Sequence, residues 1–273
     1  MSIRYRHGVI GTAGLALLLA LGACGGNAAP ATTATGEASP TATTAAGGTL
    51  TVFAAASLRQ TFGELGPKFE AAHPGVNVSF NFGGSSDLVA QLDQGAPGDV
   101  FASADENNMK KAVDAGIVTG TPTPFATNTL TIVTAPGNPK NVSDLKDLAT
   151  KSAAGTTVVI CAPPVPCGSA TKKVEQASGV TIKAVSEEQS VTDVLGKVTS
   201  GQADAGLVYV TDATGAGDKV ATVTFPESKD AVNIYPIAAL KNATDAATAQ
   251  AFVDFVTGPE GKTVLSEAGF GAP

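Results

Sequence analysis

The sequence predicts an α/β fold of two lobes, each a mainly parallel sheet flanked by helices. Strand and helix patterns alternate from Leu50 to the C-terminus, and this folded part is about 225 residues long. Alternating strands and helices are typical of parallel sheets that are covered by helices on both faces. Roughly eight or nine strands in this length fit two βαβ lobes of ordinary domain size better than one sheet.

Residues 1–23 have the pattern of an export signal, with Arg4 and Arg6 in a basic start followed by an apolar run. That run is shorter than the roughly 20 apolar residues that cross a membrane. The sequence LGAC at 21–24 resembles the lipobox of bacterial lipoproteins, in which cleavage precedes a lipidated cysteine. We therefore expect Cys24 to carry a lipid that anchors the exported protein at the outer face of the cell membrane. An ordinary signal peptide that is cut nearby is the alternative.

Residues 24–48 predict a flexible tether between the lipidated cysteine and the fold. After Cys24 this segment is almost entirely Ala, Thr, Gly and Pro, with Glu37 as its only charge, so it buries too little side chain to offset the entropy of ordering. Loss of the two signal arginines leaves 15 basic against 24 acidic residues, a formal charge of about −9. This balance disfavours nucleic acid as a partner.

The folded part begins with an apolar strand, LTVFAAA, which is followed directly by Ser57. A helix should follow from Leu58 to Ala72, with a kink or a break at Pro67. Its apolar stripe consists of Leu58, Phe62, Leu65, Phe69 and Ala72.

The later elements continue the alternation. Ser85 and Ser86 stand where the N-cap of a short helix belongs, and Ser103 with Glu106 has capping-box spacing before the next helix. The expected strands are 76–82, 99–103, 129–135, 156–162, 180–185, 205–210, 219–225 and 231–240. Two further helices are expected to end near Gly95 and Gly116. The remaining expected helices span 144–150, 169–177, 191–199, 243–256 and 259–268. The first lobe would then comprise 49–127 with 235–273 and the second 128–234, joined by a hinge of two strands.

Three strand-to-helix junctions combine small residues with a helix start. In such folds ligands bind at the carboxyl ends of the strands, where helix N-termini present free backbone N–H groups. The junctions are AAAS ending at Ser57, FGGSSD around Ser85 and Ser86, and PPVPCGS around Cys167 and Gly168. Each serine taken alone is also explained as a helix cap, so the indication of a ligand site comes from the three junctions together.

Cys161 and Cys167 remain as a pair once Cys24 is assigned to the lipid. In an exported protein an even pair favours a disulfide, which would staple the loop between them. Metal ligation competes with this interpretation, but the mature chain has one histidine, His73, and no second cysteine pair. We expect no metal-cation site. A reducible bond that alters ligand binding is a further alternative.

Five stretches of the chain resemble one family. They are LTVFAAASL, FGGSSDLVAQLDQGAPGDVFASAD, VPCGSATK, GLVYVTDA and GPEGKTVLSEAGF. Together they run from Leu50 to Phe270 and resemble the periplasmic molybdate-binding proteins of ABC importers, which are type II solute-binding proteins. The resemblance implies that the chain captures molybdate, and tungstate with it, between two lobes and delivers the anion to a membrane permease.

The resemblance also implies a set of ligand donors. Ser57 and Ser85 match the serines of the first lobe, and Cys167 and Val191 match backbone N–H donors of the second lobe. Tyr209 matches a hydroxyl donor. The chain departs from the family pattern in GGSS, where it has glycines in place of serine or alanine. For this reason Ser86 remains an alternative to Ser85.

None of these positions carries a charged side chain, which suits a fully ionised dianion that only accepts hydrogen bonds. Sulfate would fit the same donors. Phosphate keeps a proton near pH 7 and would profit from a carboxylate such as Asp87. A serine hydrolase is less favoured, because the chain has no G-x-S-x-G elbow and His73, the one histidine of the mature chain, precedes Pro-Gly. We therefore expect a monomeric binding protein without enzyme activity or cofactor; a tethered adhesion module is the remaining class.

Overall fold

A computed structural model describes residues 47–273. The predictions of a signal peptide, of the lipidated Cys24 and of the tether up to residue 46 lie outside the described residues. The described strands are β1 (Gly48–Ala55), β2 (Val76–Gly83), β3 (Val100–Ala102), β4 (Thr123–Asn128), β5 (Leu130–Thr134), β6 (Val158–Cys161), β7 (Ser186–Glu188), β8 (Ala205–Tyr209), β9 (Ala221–Val223) and β10 (Asn233–Ala239). The described α-helices are α1 (Arg59–Ala72), α2 (Ser85–Asp93), α3 (Glu106–Asp114), α4 (Leu145–Ala153), α5 (Pro166–Ser178), α6 (Val191–Thr199), α7 (Val210–Ala216), α8 (Ala246–Thr257) and α9 (Pro259–Glu267).

The strands form two five-stranded sheets, with the orders β2-β1-β3-β10-β4 and β7-β6-β8-β5-β9. Helices flank both sheets, so the predicted two-lobed α/β class is confirmed. Each sheet is mixed, however, with two parallel and two antiparallel strand pairs, and is not mainly parallel. In the first sheet the reason is the crossing between sheets. The chain leaves through β4 and returns through β10, so these neighbours run in opposite directions.

The core of the first lobe explains the apolar stripe of α1. Leu58, Phe62, Leu65 and Phe69 are buried, and the rings of Phe62 and Phe69 lie 6.0 and 5.1 Å from the ring of Phe252 on α8. Edge-to-face aromatic pairs of this kind stabilise a core beyond the area that they bury. The last residue of the predicted stripe, Ala72, is exposed at the end of the helix.

Proline does not divide α1. Pro67 lies inside one continuous helix from Arg59 to Ala72, so the predicted break does not occur. The carbonyl that loses its partner, that of Gly63, lies on the exposed face. Water can solvate it there, while the buried stripe holds both halves of the helix against the sheet.

Other local predictions need correction. Residues 180–185 form no strand, and the short β7 follows them instead. Strand β4 and helix α7 escaped prediction, because TPFATN contains a proline and Val210 reads as a continuation of an apolar strand. Gly84 is the N-cap of α2, with Ser85 inside the helix, and Asp105, not Ser103, caps α3 by accepting from the Asn108 N–H.

Among residues 47–273 no helix combines the length and the apolar character needed to span a membrane.

Candidate functional site

All five predicted donors line one small cavity, although they come from both sheets. The cavity has a volume of about 10 Å³, far below the roughly 300 Å³ at which pockets for drug-sized ligands begin. It is therefore sized for a ligand of a few atoms. Its lining residues are Ala55, Ala56, Ser57, Gly83, Gly84, Ser85, Ala104, Val165, Pro166, Cys167, Val191 and Tyr209.

Ser57 reaches the cavity because β1 ends in small residues. Alanines occupy positions 54–56, and a 3-10 turn over Ala56–Leu58 brings the serine to the carboxyl end of the strand. Ser57 is 8% exposed, and its Oγ lies 3.1 Å from the hydroxyl of Tyr235. This side chain offers a hydroxyl whose other hydrogen-bond partner is a second hydroxyl of the protein.

Ser85 is the first residue of α2, and it is 1% exposed. Its Oγ accepts a hydrogen bond from the backbone N–H of Ala104 at 3.0 Å, which leaves the serine hydrogen available for a ligand. Ser86 does not line the cavity, and its buried Oγ has no hydrogen-bond partner within residues 47–273. Between the two alternatives of the sequence, the geometry favours Ser85.

Cys167 lies in the first turn of α5, which begins at Pro166. It forms a disulfide with Cys161 at the end of β6, with the Cα atoms 5.6 Å apart, so the predicted pairing is confirmed. The turn is tight: a Cβ on Gly168 would overlap the carbonyl oxygen of Ala162. Disulfide and glycine together fix the backbone that presents the Cys167 N–H.

Val191 is the first residue of α6, and its side chain is buried. The preceding Ser190 caps the helix by accepting from the Asp193 N–H at 3.2 Å. That cap satisfies the third N–H of the helix and leaves the first one, on Val191, free of an intrahelical acceptor. The backbone N–H groups of Ser85, Cys167 and Val191 have no acceptor elsewhere in the described part of the chain.

Tyr209 ends β8, and it is 1% exposed. The side-chain amide of Asn233 donates to its hydroxyl oxygen at 2.9 Å. Burial raises the pKa of the Tyr209 hydroxyl well above its usual value of 10.0, and the nearby Tyr235 and Asp105 raise it further. The Tyr209 hydroxyl therefore stays protonated and can donate.

The cavity lining attracts an anion without any cationic side chain. Apart from Tyr209 its members have no ionisable side chain, since Cys167 is held in the disulfide. The N-termini of α2, α5 and α6 meet there, and each carries a partial positive charge with unpaired N–H groups. The arrangement can bind a small acceptor-only anion by hydrogen bonds alone.

A second, larger pocket adjoins the cavity. Its volume is about 390 Å³, and Ala56 and Ser57 line both spaces. Arg59 and Lys219 bring positive charge to it, and the partly buried Asp212 adds a carboxyl group that accepts from the Tyr209 N–H at 3.2 Å.

The residues expected of a hydrolase are not assembled at Ser57. The ring of His73 stacks on Phe69 at 4.0 Å between centroids, and its Nδ1 lies 3.0 Å from the Phe69 carbonyl oxygen. His73 does not line the cavity, and the side-chain partner of Ser57 is Tyr235. His73 therefore contributes to the end of α1 and does not act as a base for the serine.

Three residues near the cavity were missed in the sequence. Asn233 and Tyr235 lie in a segment that reads only as a strand, and their partners are far away in the chain. Gly84 lies within the recognised junction FGGSSD, but no pattern in the neighbouring sequence predicts its close approach to Gln189 of the other lobe.

Comparison with known proteins places the chain in a family. Residues 50–271 match the family model of the bacterial extracellular solute-binding proteins. The molybdate-binding protein ModA of Mycobacterium tuberculosis is 50% identical over 257 residues, which cover 94% of this chain and 95% of that protein. ModA of Escherichia coli is 32% identical, with coverage of 82% and 89%.

A solved structure agrees with these relatives. The periplasmic molybdate-binding protein of Azotobacter vinelandii superposes with a TM-score of 0.71 at 25% identity, over 82% of this chain and 99% of that one. The family match spans both sheets and every residue of the cavity. The chain thus belongs to the family of bacterial extracellular solute-binding proteins.

Proposed function

We propose that this protein captures molybdate, and tungstate by the same chemistry, in the cavity between its lobes and delivers the anion to the permease of an ABC importer. The single observation that carries the proposal is a cavity lining that has hydroxyl groups and unpaired backbone N–H groups and no charged side chain. The relatives named as molybdate-binding proteins, at up to 50% identity, support molybdate as the ligand. The ligand is cargo and not a cofactor.

The hydrogen-bond partners of the site hydroxyls support a fully ionised ligand. Ser85 and Tyr209 each accept a hydrogen bond from an N–H group of the protein, so their remaining hydrogens point elsewhere. A dianion without protons accepts from such hydroxyls and from free backbone N–H groups. Hydrogen phosphate must also donate one hydrogen bond, and no carboxylate lines the cavity to accept it.

Sulfate satisfies the same donor chemistry and is the second candidate. Both oxyanions are tetrahedral dianions, so the choice between them depends on how closely the donors converge. The identity to molybdate-binding relatives favours molybdate. A competition experiment between the two anions decides this point.

Binding would close the two lobes, for which we keep the boundaries 49–127 with 235–273 and 128–234. The predicted donors Ser57 and Ser85 follow strands of the first sheet, whereas Cys167 and Val191 follow strands of the second and Tyr209 ends one. An anion that bridges both sets binds the closed arrangement more tightly and so shifts the population towards it. The permease would recognise this closed form.

We also propose that the chain acts outside the cytoplasm as a monomeric lipoprotein anchored through Cys24. The family is extracellular, which agrees with the export pattern of residues 1–23. The tether of 24–48 would give the binding lobes the reach to meet a membrane permease. Radiolabelled fatty acid incorporated into wild-type protein, but not into Cys24→Ala, is the expected result.

The role is binding and not catalysis. Ser57 has a tyrosine hydroxyl beside it, and His73 is occupied at the end of α1. Hydrolysis of an ester substrate that is abolished by Ser57→Ala would contradict this part of the proposal.

Titration calorimetry with wild type and serine variants tests the site. Ser57→Ala and Ser85→Ala should each weaken molybdate binding by about 1 to 3 kcal/mol, because a charged acceptor then lacks one donor. Ser86→Ala is the matched control and should leave the affinity unchanged, since Ser86 lies outside the lining. Equal losses in Ser85→Ala and Ser86→Ala would contradict the assignment.

A thermal-shift panel of molybdate, tungstate, sulfate and phosphate at matched ionic strength tests the ligand class. Molybdate and tungstate should stabilise the protein most, since a ligand that binds only the folded state raises the unfolding temperature. Stabilisation by phosphate alone would contradict the proposal.

A further inference from the structure

The hydroxyl groups of the cavity are connected to two buried residues that lie behind it, Asn233 and Tyr235 of β10. We propose that these two are positioning residues, which occupy the acceptor side of the ligand-binding hydroxyls and thereby direct the hydroxyl hydrogens at the anion. The inference rests on the proposed function. It adds the residues that determine in which direction the hydroxyl groups donate their hydrogens.

Asn233 fixes the orientation of the Tyr209 hydroxyl. Its Nδ2 lies 2.7 Å from the backbone oxygen of Ala104 and 2.9 Å from the Tyr209 Oη. Because a carbonyl oxygen only accepts, the amide nitrogen must face Ala104, and the same nitrogen then donates to Tyr209. The hydrogen of the tyrosine is left to point away from Asn233, where an anion in the cavity can accept it in competition with the neighbouring Tyr235 hydroxyl.

Ala104 orients the Ser85 hydroxyl in the same way. Its backbone N–H donates to the Ser85 Oγ at 3.0 Å, while its carbonyl oxygen accepts from Asn233. A backbone N–H cannot accept, so the serine is the acceptor in this bond and its own hydrogen remains free. Asn233 thus orients the Tyr209 hydroxyl directly, and it also holds Ala104, which orients the Ser85 hydroxyl.

Tyr235 completes the set at Ser57. Its hydroxyl lies 3.1 Å from the Ser57 Oγ, and its fully buried ring packs edge-on to Phe125, Tyr209 and Phe270 at 6.2, 5.9 and 5.4 Å. Burial raises the pKa of the Tyr235 hydroxyl, so it keeps its proton. When Ser57 donates to an anion, Tyr235 can donate to Ser57, and such a chain strengthens both bonds.

Asn233 also stands where the two lobes meet. It begins β10 opposite Asn128, the last residue of β4, and the side chain of Asn128 donates to Thr211 Oγ1 of α7 at 2.7 Å. Ala104 follows a strand of the first sheet and Tyr209 ends a strand of the second. One buried amide therefore aligns donors that belong to different lobes.

Double-mutant cycles, read by calorimetric Kd for molybdate, test the proposal. Tyr235→Phe should raise Kd roughly 3- to 15-fold in the wild-type background but less than about 2-fold in Ser57→Ala, because its effect passes through that hydroxyl. Asn233→Ala should likewise raise Kd roughly 10-fold alone and clearly less in a Tyr209→Phe background. A residue that only stabilises the fold would have the same effect in both backgrounds.

The control variant is Asn138→Ala. Asn138 also donates from Nδ2 to a backbone oxygen, that of Val142 at 2.8 Å. Asn138 lies after Thr134, the last residue of β5. Tyr209 pairs with Leu130, the first residue of that strand, so Asn138 is remote from the cavity. It should lower the unfolding temperature without changing Kd.

The outcomes separate the two proposals. If wild type binds molybdate and each single variant has an equal effect in both backgrounds, or none, the positioning role is wrong and the proposed function stands. If wild type binds no oxyanion, the proposed function fails and the positioning role with it. Tyr235→Phe keeps the packed ring, so this arm decides the question even if Asn233→Ala does not fold.

Discussion

Replacing Gly84 by alanine should weaken ligand binding while leaving the ligand-free protein stable. The backbone of Gly84, with φ −63° and ψ 134°, is extended and suits any residue, so alanine adds no local strain. A Cβ at this position would, however, overlap the carbonyl oxygen of Gln189, which belongs to the second lobe. The overlap exists only when the lobes are together, and it therefore opposes closure alone.

The size of the effect follows from the geometry. The added Cβ would lie about 1 Å inside the 3.0 Å limit of real Cβ contacts, and its neighbour is backbone that cannot rotate away. Relief requires the lobes to separate by about 1 Å here, which stretches a hydrogen bond of about 2.9 Å beyond its useful range. Each bond to a charged acceptor contributes about 1.5 to 3 kcal/mol. Loss of one such bond costs about 1.5 to 3 kcal/mol, or roughly 10- to 150-fold in Kd.

The assay is titration calorimetry with molybdate, accompanied by thermal unfolding of the ligand-free variants. Gly63→Ala is the control, because Gly63 lies in α1 of the same lobe, outside the cavity lining, and a Cβ there would meet nothing within 4 Å. We expect similar unfolding temperatures without ligand and a large loss of affinity in Gly84→Ala alone. An unchanged Kd in Gly84→Ala, or an equal loss in Gly63→Ala, would refute the reasoning.

Three further predictions concern the disulfide, a carboxyl group and the adjoining pocket. Cys161→Ser should lower the free energy of unfolding in urea by about 2 kcal/mol, the entropy expected for so short a loop; an unchanged midpoint would contradict this. Burial raises the pKa of Asp212 from 3.8 to about 7, so the folded state binds its proton more tightly and stability should fall as pH rises from about 4 to 7. That slope should be reduced in Asp212→Asn, as measured by urea unfolding at each pH. Arg59→Gln should slow molybdate association in stopped flow by roughly 2- to 5-fold at low salt, with no difference at 0.5 M salt, because Arg59 lines the pocket beside Ser57.

Short-range sequence patterns predicted much of the fold and part of the candidate site. The stripe of α1 and the small residues at the strand ends are short-range patterns, and they indicated the helix and the junctions at Ser57, Ser85 and Cys167. Val191 and Tyr209, which line the same cavity, were predicted only from the family resemblance. Asn233 could not be found in this way, because its bond to Ala104 spans 129 positions of the chain. Residues 180–185 have strand-like composition, yet they form no ladder, and the neighbouring Ser186–Glu188 pairs with β6 instead.

The order of strands in the first sheet bears on how the chain folds. β10 lies between β3 and β4, but it follows them in the chain only after the whole second sheet. The second sheet, 130–223, is contiguous and can pair all its strands before β10 is available, whereas β3 and β4 each wait with an unpaired edge. Closing the first sheet is a contact of long sequence separation, which slows folding. We therefore expect the second lobe to gain protection from hydrogen exchange first, and a chain truncated before residue 233 to leave those edges open to aggregation.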